Sequence, residues 1–410
     1  MIPVEEARAR ILSHIATLGA ERAELSRALH RVLAEDVAAG RDIPPWPNSS
    51  MDGYALRADD TVGARAAAPA RLAVAGRVAA GAIAERALGV GEAFRIFTGA
   101  PLPDGADSVI PQEDVTEDAG ALLVPRPVKA GDYVRPRAED VRRGESVLAR
   151  GRVLGAAELG LLAALGQAQV NVARRPEVGI LSTGDEIVDI GSAPGPGQIA
   201  NSNTYSLMAQ VAEAGAVAVN LGVARDRLED IETRLRWGIG CDVLISSAGV
   251  SVGEHDFVKA ALERLGATQH VWLVDMRPGK PIAFATIPRA PRGDLPVFAL
   301  PGNPVSAMVT FELFVRPALL QMTGCAGIDR PMIRARALTA IDNPGRRRGY
   351  LRVTLVPTAE GFGARLTGDQ SSGILRSMVA ADGLAVVPGD TAIAAGEPVP
   401  VILLRSLPGS

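Results

Sequence analysis

The 410-residue chain is poor in cysteine, in lysine and in long apolar runs. Its two cysteines, Cys241 and Cys325, are too few for a disulfide framework, which favours a reducing compartment. The longest apolar stretch, 153-VLGAAELGLLAALG-166, contains Glu158 and falls short of the roughly 20 residues that a bilayer span requires. The N-terminus, 1-MIPVEEARAR-10, lacks the apolar centre of a signal peptide. These absences predict a cytoplasmic protein that does not associate with a membrane.

The charge balance argues against a nucleic-acid partner. The net charge is −3, whereas a general nucleic-acid binder is usually basic or carries a basic face. Of the 43 basic residues only Lys129, Lys259 and Lys280 are lysines. In a chain with this preference for arginine, a retained lysine is a candidate for a chemically specified position.

The first 175 residues predict an elongated helical segment that is interrupted by a β-rich insert. Residues 3–39 carry apolar side chains at helical spacing, and residues 155–165 are rich in alanine and leucine. The proline-rich stretch 43-IPPWPNSSMDGYA-55 marks a boundary. Short β-type runs then follow between glycine and proline turns. We therefore assign residues 1–46 and 134–175 to one elongated domain and residues 47–133 to an inserted β-rich domain.

The second half of the chain predicts a doubly wound α/β domain followed by a small β-barrel. Residues 176–327 alternate strand and helix patterns, which indicates a parallel sheet with helices on both faces. One of these helices, 203–215, has Asn203 as its candidate cap. Residues 328–410 contain short strands separated by glycine and proline turns, which favours a small barrel or sandwich. The predicted fold class is thus a multidomain α/β plus β protein.

Chemically distinctive loops follow the strands of the α/β domain. In such a sheet, ligands bind beyond the carboxyl ends of the strands, so these loops are expected to meet at one edge. The loops supply hydroxyl groups, glycines that permit close approach of a ligand to the backbone, and two cations. These residues are Ser182, Thr183, Ser246, Ser247 and Ser251; Gly184, Gly249, Gly253, Gly279 and Gly302; and Arg277 and Lys280. The combination predicts a site for an anionic, phosphate-bearing ligand.

Four carboxylates in the same loops would repel such an anion. They are Asp185, Glu186, Asp226 and Asp256. A hard cation such as Mg²⁺ would resolve the conflict, since carboxylate oxygens bind it and it bridges to phosphates. Zinc is less favoured, because His255 is the one histidine in these loops. Asp256 is equally compatible with a plain helix cap, Asp226 with a surface acid, and His255 with a structural role.

An arginine-rich stretch, 345-GRRRGYLR-352, has two readings. A solvated hairpin would explain it without any function. Alternatively, one of Arg346, Arg347, Arg348 and Arg352 reaches an anion site.

Taken together, the motifs resemble those of the molybdopterin molybdenumtransferase family, over nearly the whole chain and in the same order. The matching motifs are 48-NSSMDGYA-55, 97-FTGAPLPDGAD-107, 181-LSTGDE-186, 198-QIANSN-203, 246-SSAGVSVGEHD-256, 278-PGKP-281 and 300-LPGNPVSA-307. The resemblance implies a four-domain, elongated subunit that forms a homodimer. It also implies a reaction in which adenylylated molybdopterin and molybdate are bound, the phosphoanhydride is cleaved with the assistance of Mg²⁺, AMP leaves, and molybdenum remains on the pterin dithiolene.

The resemblance also assigns roles to individual residues. The catalytic group would be Asp52, Glu186, Asp226, Asp256 and Lys280, with Glu186, Asp226 and Asp256 holding the metal. Substrate contacts would come from Thr98, Ser182, Thr183, Gly184, Asp185, Ser247, Gly249, Ser251, Gly253, Arg277, Gly302, Asn303, Arg348 and Ser372. Asp52 and Thr98 lie in the predicted β insert, so the family's site at the dimer interface implies that the partner chain supplies them.

The chain departs from the family pattern at a few positions, and other functions remain open. Ala248 replaces one of two paired glycines, while Leu273 and Arg277 stand where some members have lysine. No carboxylate is lost, so activity is expected to persist. The competing functions are a molybdopterin adenylyltransferase, which would need only the α/β domain, and a molybdopterin-binding carrier or scaffold. Molybdopterin adenylyltransferase and molybdoenzyme chaperones are the expected protein partners.

Overall fold

The N-terminal segment contains one α-helix, two strands and a single 3-10 turn, Leu25–Arg27. The computed structural model describes residues 1–249, 257–405 and 407. The first elements are α1 (Val4–Ser13), β1 (Ala20–Glu24) and β2 (Val37–Ala38). The predicted helix is therefore correct only up to Ser13, and its continuation over residues 20–39 is wrong. The apolar side chains of Ala28 and Leu33 instead join a buried cluster with Leu154 and Val172, so tertiary packing overrides their helical spacing.

Residues 47–133 are rich in β-strands, as predicted. The strands are β3 (Asn48–Ser49), β4 (Gly53–Leu56), β5 (Ala70–Val78), β6 (Glu92–Ile96), β7 (Ser108–Pro111), β8 (Thr116–Asp118) and β9 (Ala121–Val124). All except β3 belong to one six-stranded sheet in the order β7-β4-β6-β5-β9-β8. Alternate side chains of this sheet, among them Leu56, Leu72 and Leu122, are fully or almost fully buried.

The part of the chain that follows this sheet in sequence pairs with the N-terminal segment. Its elements are β10 (Val134–Arg135), β11 (Ser146–Leu148), α2 (Ala156–Ala164) and β12 (Gln169–Ala173). Antiparallel pairs join β10 to β3, β11 to β2 and β12 to β1. The chain thus leaves and returns along the same segment. The domain boundaries assigned from the sequence stay a prediction.

The central region alternates strands and helices. Its elements are β13 (Glu177–Thr183), β14 (Ile187–Val188), β15 (Ile199–Ala200), α3 (Ser202–Glu213), β16 (Val217–Ala224), α4 (Leu228–Trp237), β17 (Val243–Ser247), α5 (Phe257–Arg264), β18 (Thr268–Leu273), β19 (Met276–Arg277), β20 (Pro281–Ile287), β21 (Leu295–Leu300), α6 (Pro304–Thr310) and α7 (Arg316–Met322). A π-helical stretch, Phe311–Val315, joins α6 to α7. The main sheet has the order β16-β13-β17-β21-β20-β18.

This sheet is mixed, which corrects the prediction of a fully parallel one. Strands β16, β13, β17 and β21 are parallel, whereas β20 runs antiparallel to both of its neighbours. Because β18 is antiparallel to β20, it runs in the same direction as β21. The loop between β18 and β20 therefore still reaches the edge at which the parallel strands end.

Helices cover both faces of the sheet. Helices α3, α6 and α7 share one buried core with alternate strand residues, and α1 joins this core through Ala7 and Ile11. Helices α4 and α5 pack on the opposite face. Within the described residues one helix, Pro304–Met322, is long and apolar enough to cross a membrane, but 72% of that apolar window is buried inside the protein. Such burial is expected of a core helix.

The C-terminal region forms a small closed barrel. Its elements are β22 (Met332–Ala337), β23 (Ile341–Asn343), β24 (Arg348–Thr358), β25 (Gly361–Leu366), α8 (Leu375–Val379), β26 (Gly383–Val387), β27 (Thr391–Ile393) and β28 (Pro398–Leu403). The order β24-β25-β22-β28-β26 closes because β26 also pairs with β24. Strand β19 of the central region adds to β24 in parallel, which ties the barrel to the central region. The predicted multidomain α/β plus β fold class is confirmed.

Candidate active site

The carboxyl ends of β13, β17 and β21 meet at one edge, as predicted. Ser182 lies opposite Ser247 in the sheet register, and Ser247 lies opposite Leu300. A cavity of about 690 Å³ opens beyond these ends and is lined by Thr183, Glu186 and residues of all three strand-end loops. We call it the first cavity. Among the predicted residues, those that line it are Ser182, Thr183, Glu186, Ser247, Gly249, Gly302 and Asn303.

The hydroxyl of Ser182 is bound in a buried network below this cavity. It donates to Asn201 Oδ1 at 3.2 Å and lies 2.8 Å from Thr204 Oγ1. Asn201 Oδ1 also accepts the Thr204 backbone N–H at 3.2 Å, so Asn201 is the cap of α3. The prediction of Asn203 as the cap is wrong. Because Ser182 is 3% exposed and already paired, it shapes the cavity floor.

Asn203 instead connects two loops of the cavity wall. Its Nδ2 donates to Ser247 Oγ at 2.7 Å and to the Gly302 carbonyl at 2.7 Å. A carbonyl only accepts hydrogen bonds, so Gly302 fixes the orientation of the amide. The start of α3 is thereby bound to the ends of both β17 and β21.

Tight backbone geometry shapes the same wall. Ala248 has φ +77°, in the left-handed region that costs a non-glycine residue about 1–2 kcal/mol. A Cβ on Gly302 would lie 3.2 Å from the Ala248 Cβ, so a side chain at position 302 would crowd the methyl group of Ala248. A Cβ on Gly249, whose φ is +78°, would collide with Val258. The alanine that replaces a family glycine therefore sits directly in the cavity lining.

Three carboxylates gather at one side of the first cavity. Asp185 Oδ1 accepts the Asp226 backbone N–H at 3.3 Å, and Glu186 lines the cavity. Gly184 has φ +141°, a backbone conformation that favours glycine in this turn. Burial, followed by the charges of Glu186 and Asp185, raises the pKa of the Asp226 carboxyl group. The structure therefore brings these predicted acids together in a region of uncompensated negative charge.

The residues present have the chemistry of a hard-cation site. All donors are carboxylate oxygens, which suit Mg²⁺. Glu186 and Asp185 repel the ionised Asp226, and a bound cation would offset that repulsion. In the described parts of the chain, no three acidic, histidine or cysteine side chains already form a ready metal cluster. The third predicted ligand, Asp256, lies outside the described residues, as do Ser251 and Gly253.

A second cavity of about 490 Å³ adjoins the first and shares Pro281, Pro301 and Asn303 with it. We call it the second cavity. Arg277 and Lys280 line it from the central region, while Ser371 and Ser372 line it from the barrel. The Ser372 carbonyl accepts the Val305 N–H at 3.1 Å, which docks the barrel loop on the start of α6. Arg277, Lys280 and Ser372 were all predicted.

Gly279 allows the loop of Arg277 and Lys280 to lie close to α6. Its φ is +104°, and a Cβ there would lie 2.5 Å from Thr310 Cγ2. Any larger residue at position 279 would push the loop and its cations away from the helix.

The structure does not place Arg348 at either cavity. Arg348 bonds the Glu5 carboxylate instead, and this contact raises the pKa of the Arg348 guanidinium. The buried arginine of this stretch is Arg352, which is 0% exposed. It donates from Nε to Ser377 Oγ at 3.0 Å and from Nη2 to the Ser371 carbonyl at 3.0 Å, so it holds the loop that lines the second cavity. Burial lowers the pKa of the Arg352 guanidinium to about 10.

Asp52 and Thr98 contact each other away from both cavities. The Asp52 carboxylate accepts the Thr98 N–H and the Thr98 hydroxyl, each at 2.8 Å. These two bonds, the backbone N–H first, lower the pKa of Asp52. Neither side chain is among the described residues that line the first or the second cavity.

Comparisons with known proteins agree with this architecture. Three family descriptions match: "MoeA N-terminal region (domain I and II)" over residues 2–166, "Probable molybdopterin binding domain" over residues 179–321, and "MoeA C-terminal region (domain IV)" over residues 334–404. Fold and site thus define a transferase enzyme of molybdenum cofactor biosynthesis, built around a molybdopterin-binding domain.

Individual relatives narrow this class to one family. A molybdopterin molybdenumtransferase of Nostoc is 38% identical over 390 residues, or 94% of this chain and 88% of the relative. One from Bacillus subtilis is 36% identical over 420 residues, or 100% of this chain and 95% of the relative. The crystal structure of a MoeA protein from Pyrococcus horikoshii has a TM-score of 0.84 at 34% identity and covers 99% of this chain and 100% of its own. The chain belongs to the molybdopterin molybdenumtransferase (MoeA) family.

Proposed function

We propose that the protein inserts molybdenum from molybdate into adenylylated molybdopterin and releases AMP. The observation that supports this most is the pair of adjoining cavities. The first has hydroxyls and an acidic side, while the second has cations, and the two share Asn303 and two prolines. A substrate that carries both a diphosphate and a pterin fits the first cavity, and a small oxyanion fits the second.

In this proposal each cavity binds a different substrate. Thr183, Ser247 and the backbone of the Gly302 loop orient the phosphate-bearing pterin. Arg277, Lys280 and Ser372 hold the tetrahedral dianion beside it. Bringing the two reactants into one cleft makes their encounter effectively intramolecular, which lowers the barrier. The hydrogen bonds of Asn203 and Arg352 keep the two walls in place.

We further propose that Glu186 and Asp226 hold Mg²⁺, together with Asp256. When bound there, Mg²⁺ would neutralise charge that develops on the AMP phosphate as the phosphoanhydride breaks. Without the cation, the same carboxylates would repel the diphosphate. This proposal rests on the oxygen-only donor set and on the raised pKa of Asp226.

The protein is further proposed to act as a homodimer in the cytoplasm. The Asp52–Thr98 pair lines neither the first nor the second cavity among the described residues, which fits a site that a second subunit completes. Molybdopterin adenylyltransferase and molybdoenzyme chaperones remain the predicted protein partners.

The test is AMP release from adenylylated molybdopterin by the purified protein. AMP should appear only when molybdate and Mg²⁺ are both present. A protein that binds molybdopterin tightly but releases no AMP would be a carrier or scaffold. ATP consumption with free molybdopterin would instead identify an adenylyltransferase.

A further inference from the structure

One arginine of the triplet Arg346–Arg348 faces the second cavity, and its two neighbours do not. Arg347 lines this cavity and is partly buried. Arg346 is exposed and lines neither cavity, and Arg348 is bound to Glu5. The arginine-rich stretch therefore combines one cavity-lining arginine with two that face elsewhere.

The junction of the barrel with the central region places Arg347 there. Met276 pairs in parallel with Arg348, the first residue of β24, so Arg347 lies beside the loop that carries Arg277. Arg347 Nη1 donates to the Met276 carbonyl at 3.2 Å. This bond anchors the guanidinium at the cavity wall and uses one of its five N–H donors. Among the described residues, the Arg347 side chain makes no other hydrogen bond, although its carbonyl accepts the Asn343 side-chain N–H at 2.8 Å.

The charge of the cavity favours an anion. Three cationic side chains, those of Arg277, Lys280 and Arg347, line it together with one carboxylate, that of Asp369. Asp369 Oδ1 already accepts the Ser371 N–H at 2.7 Å. The lining therefore has a net positive charge, and Arg347 is the cation that the barrel contributes.

We propose that Arg347 is an additional binding residue for the tetrahedral metal oxyanion in the second cavity. This inference rests on the function proposed above. A guanidinium offers two parallel N–H groups to two oxygens of one anion, which an ammonium cannot do. Arg347 would thus clamp the oxyanion against Arg277 and Lys280 from the opposite domain.

The experiment compares Arg347→Ala, Arg347→Lys and Arg346→Ala with the wild type. We expect Arg347→Ala to raise the molybdate concentration for half-maximal AMP release by about tenfold or more, since a charge-assisted hydrogen bond is lost. The maximal rate and the KM for adenylylated molybdopterin should change little. Arg347→Lys should recover part of the loss, and Arg346→Ala, which removes the same charge next door, should match the wild type.

Equilibrium dialysis with molybdate alone separates this inference from the proposed function. If the wild type binds molybdate but releases no AMP, the proposed function fails, and the dialysis still reports on Arg347. Equal molybdate affinity of Arg347→Ala and Arg346→Ala would overturn the inference. Thermal melting of each variant shows whether it is folded. If Arg347→Ala unfolds, the molybdate affinity of Arg347→Lys is compared with that of Arg346→Ala instead.

Discussion

At the scale of single residues, two positions carry local strain that serves the cleft. Asp226 is partly buried beside Glu186 and Asp185, and burial, followed by these like charges, raises the pKa of its carboxyl group. Ala248 adopts a left-handed backbone that alanine disfavours. Both lie at the predicted ligand edge, where such strain is most often found.

The Asp226→Asn variant tests the cation site. The raised pKa means that the ionised Asp226 destabilises the fold, and this penalty fades as pH falls through that pKa towards the ordinary 3.8. Without Mg²⁺, the variant should therefore be slightly more stable than the wild type at neutral pH. It should lose the Mg²⁺-induced rise in Tm and at least about a hundredfold in AMP release.

The wild type provides the pH test of the same site. Mg²⁺ needs the ionised carboxylate, so its stabilising effect should weaken at a pH above 3.8 as acid is added. Differential scanning fluorimetry with and without Mg²⁺ measures this. Glu229→Gln, which removes an exposed charge on α4, is the control and should keep the Mg²⁺ effect. An unchanged Mg²⁺ response in Asp226→Asn would rule out the assignment.

Substituting Ala248 by glycine tests the strain in the cavity wall. Glycine adopts φ +77° without penalty, and this gain exceeds the entropy that glycine adds to the unfolded chain. We expect the free energy of unfolding to rise by about 0.5–1 kcal/mol. Chemical denaturation measures it. A loss of stability would mean that the methyl contact with Gly302 outweighs the backbone strain.

At the scale of secondary-structure elements, the sequence predicted the strands of the sheet well and the tertiary contacts poorly. Apolar runs between turns identified β13, β17 and β21, because these strands are buried on both faces. The helix predicted over residues 20–39 was wrong, because the apolar side chains of this stretch pack against residues 148–172, which are distant in sequence. The cap of α3 was misplaced by two residues, as Asn201 and Asn203 are chemically equivalent until their partners are known.

The candidate site shows the same limit. Loops after parallel strands could be predicted to converge, and they do. The sequence analysis did not predict that Arg352 holds the loop of the second cavity. Its position between Leu351 and Val353 in an apolar strand could have indicated a buried arginine. The resemblance assigned a substrate contact to Arg348, and only the packing of α1 shows that Glu5 binds it.

Variants of Asn203 test how α3 holds the cavity wall. Asn203→Ala removes two hydrogen bonds, which should cost about 1–3 kcal/mol of stability and raise the KM for adenylylated molybdopterin about tenfold. Asn203→Asp should be worse than alanine, because it places an oxygen against the Gly302 carbonyl. Steady-state AMP release gives KM and kcat separately. If alanine is worse than aspartate, the amide does not act as the donor.

At the scale of the whole molecule, the cleft depends on several parts of the chain. The barrel supplies Ser372 and the support of Arg352, and β19 joins β24 across the junction. The inserted sheet carries Asp52 and Thr98, which contact each other away from the cleft. We therefore expect the proposed reaction to need the barrel as well as the central region.

Mixing two inactive variants tests the shared site. If the partner subunit supplies Asp52, a dimer of one Asp52→Ala chain and one Lys280→Ala chain contains one intact site. Random reassortment should then restore about a quarter of wild-type AMP release. The controls are each variant alone and the two variants combined without subunit exchange. Mass spectrometry should show that hybrid dimers have formed. If AMP release still does not recover, Asp52 lies in the site of its own chain or outside the site.

The central claim is that two adjoining cavities hold two different anions. Crystals soaked with AMP, Mg²⁺ and tungstate or molybdate test it, because anomalous scattering locates the heavy oxyanion. We expect the anomalous peak of the oxyanion in the second cavity, with its oxygens within hydrogen-bond distance of Arg277, Lys280 and Ser372, and AMP in the first cavity. A peak in the first cavity, with the second one filled only by solvent, would contradict it.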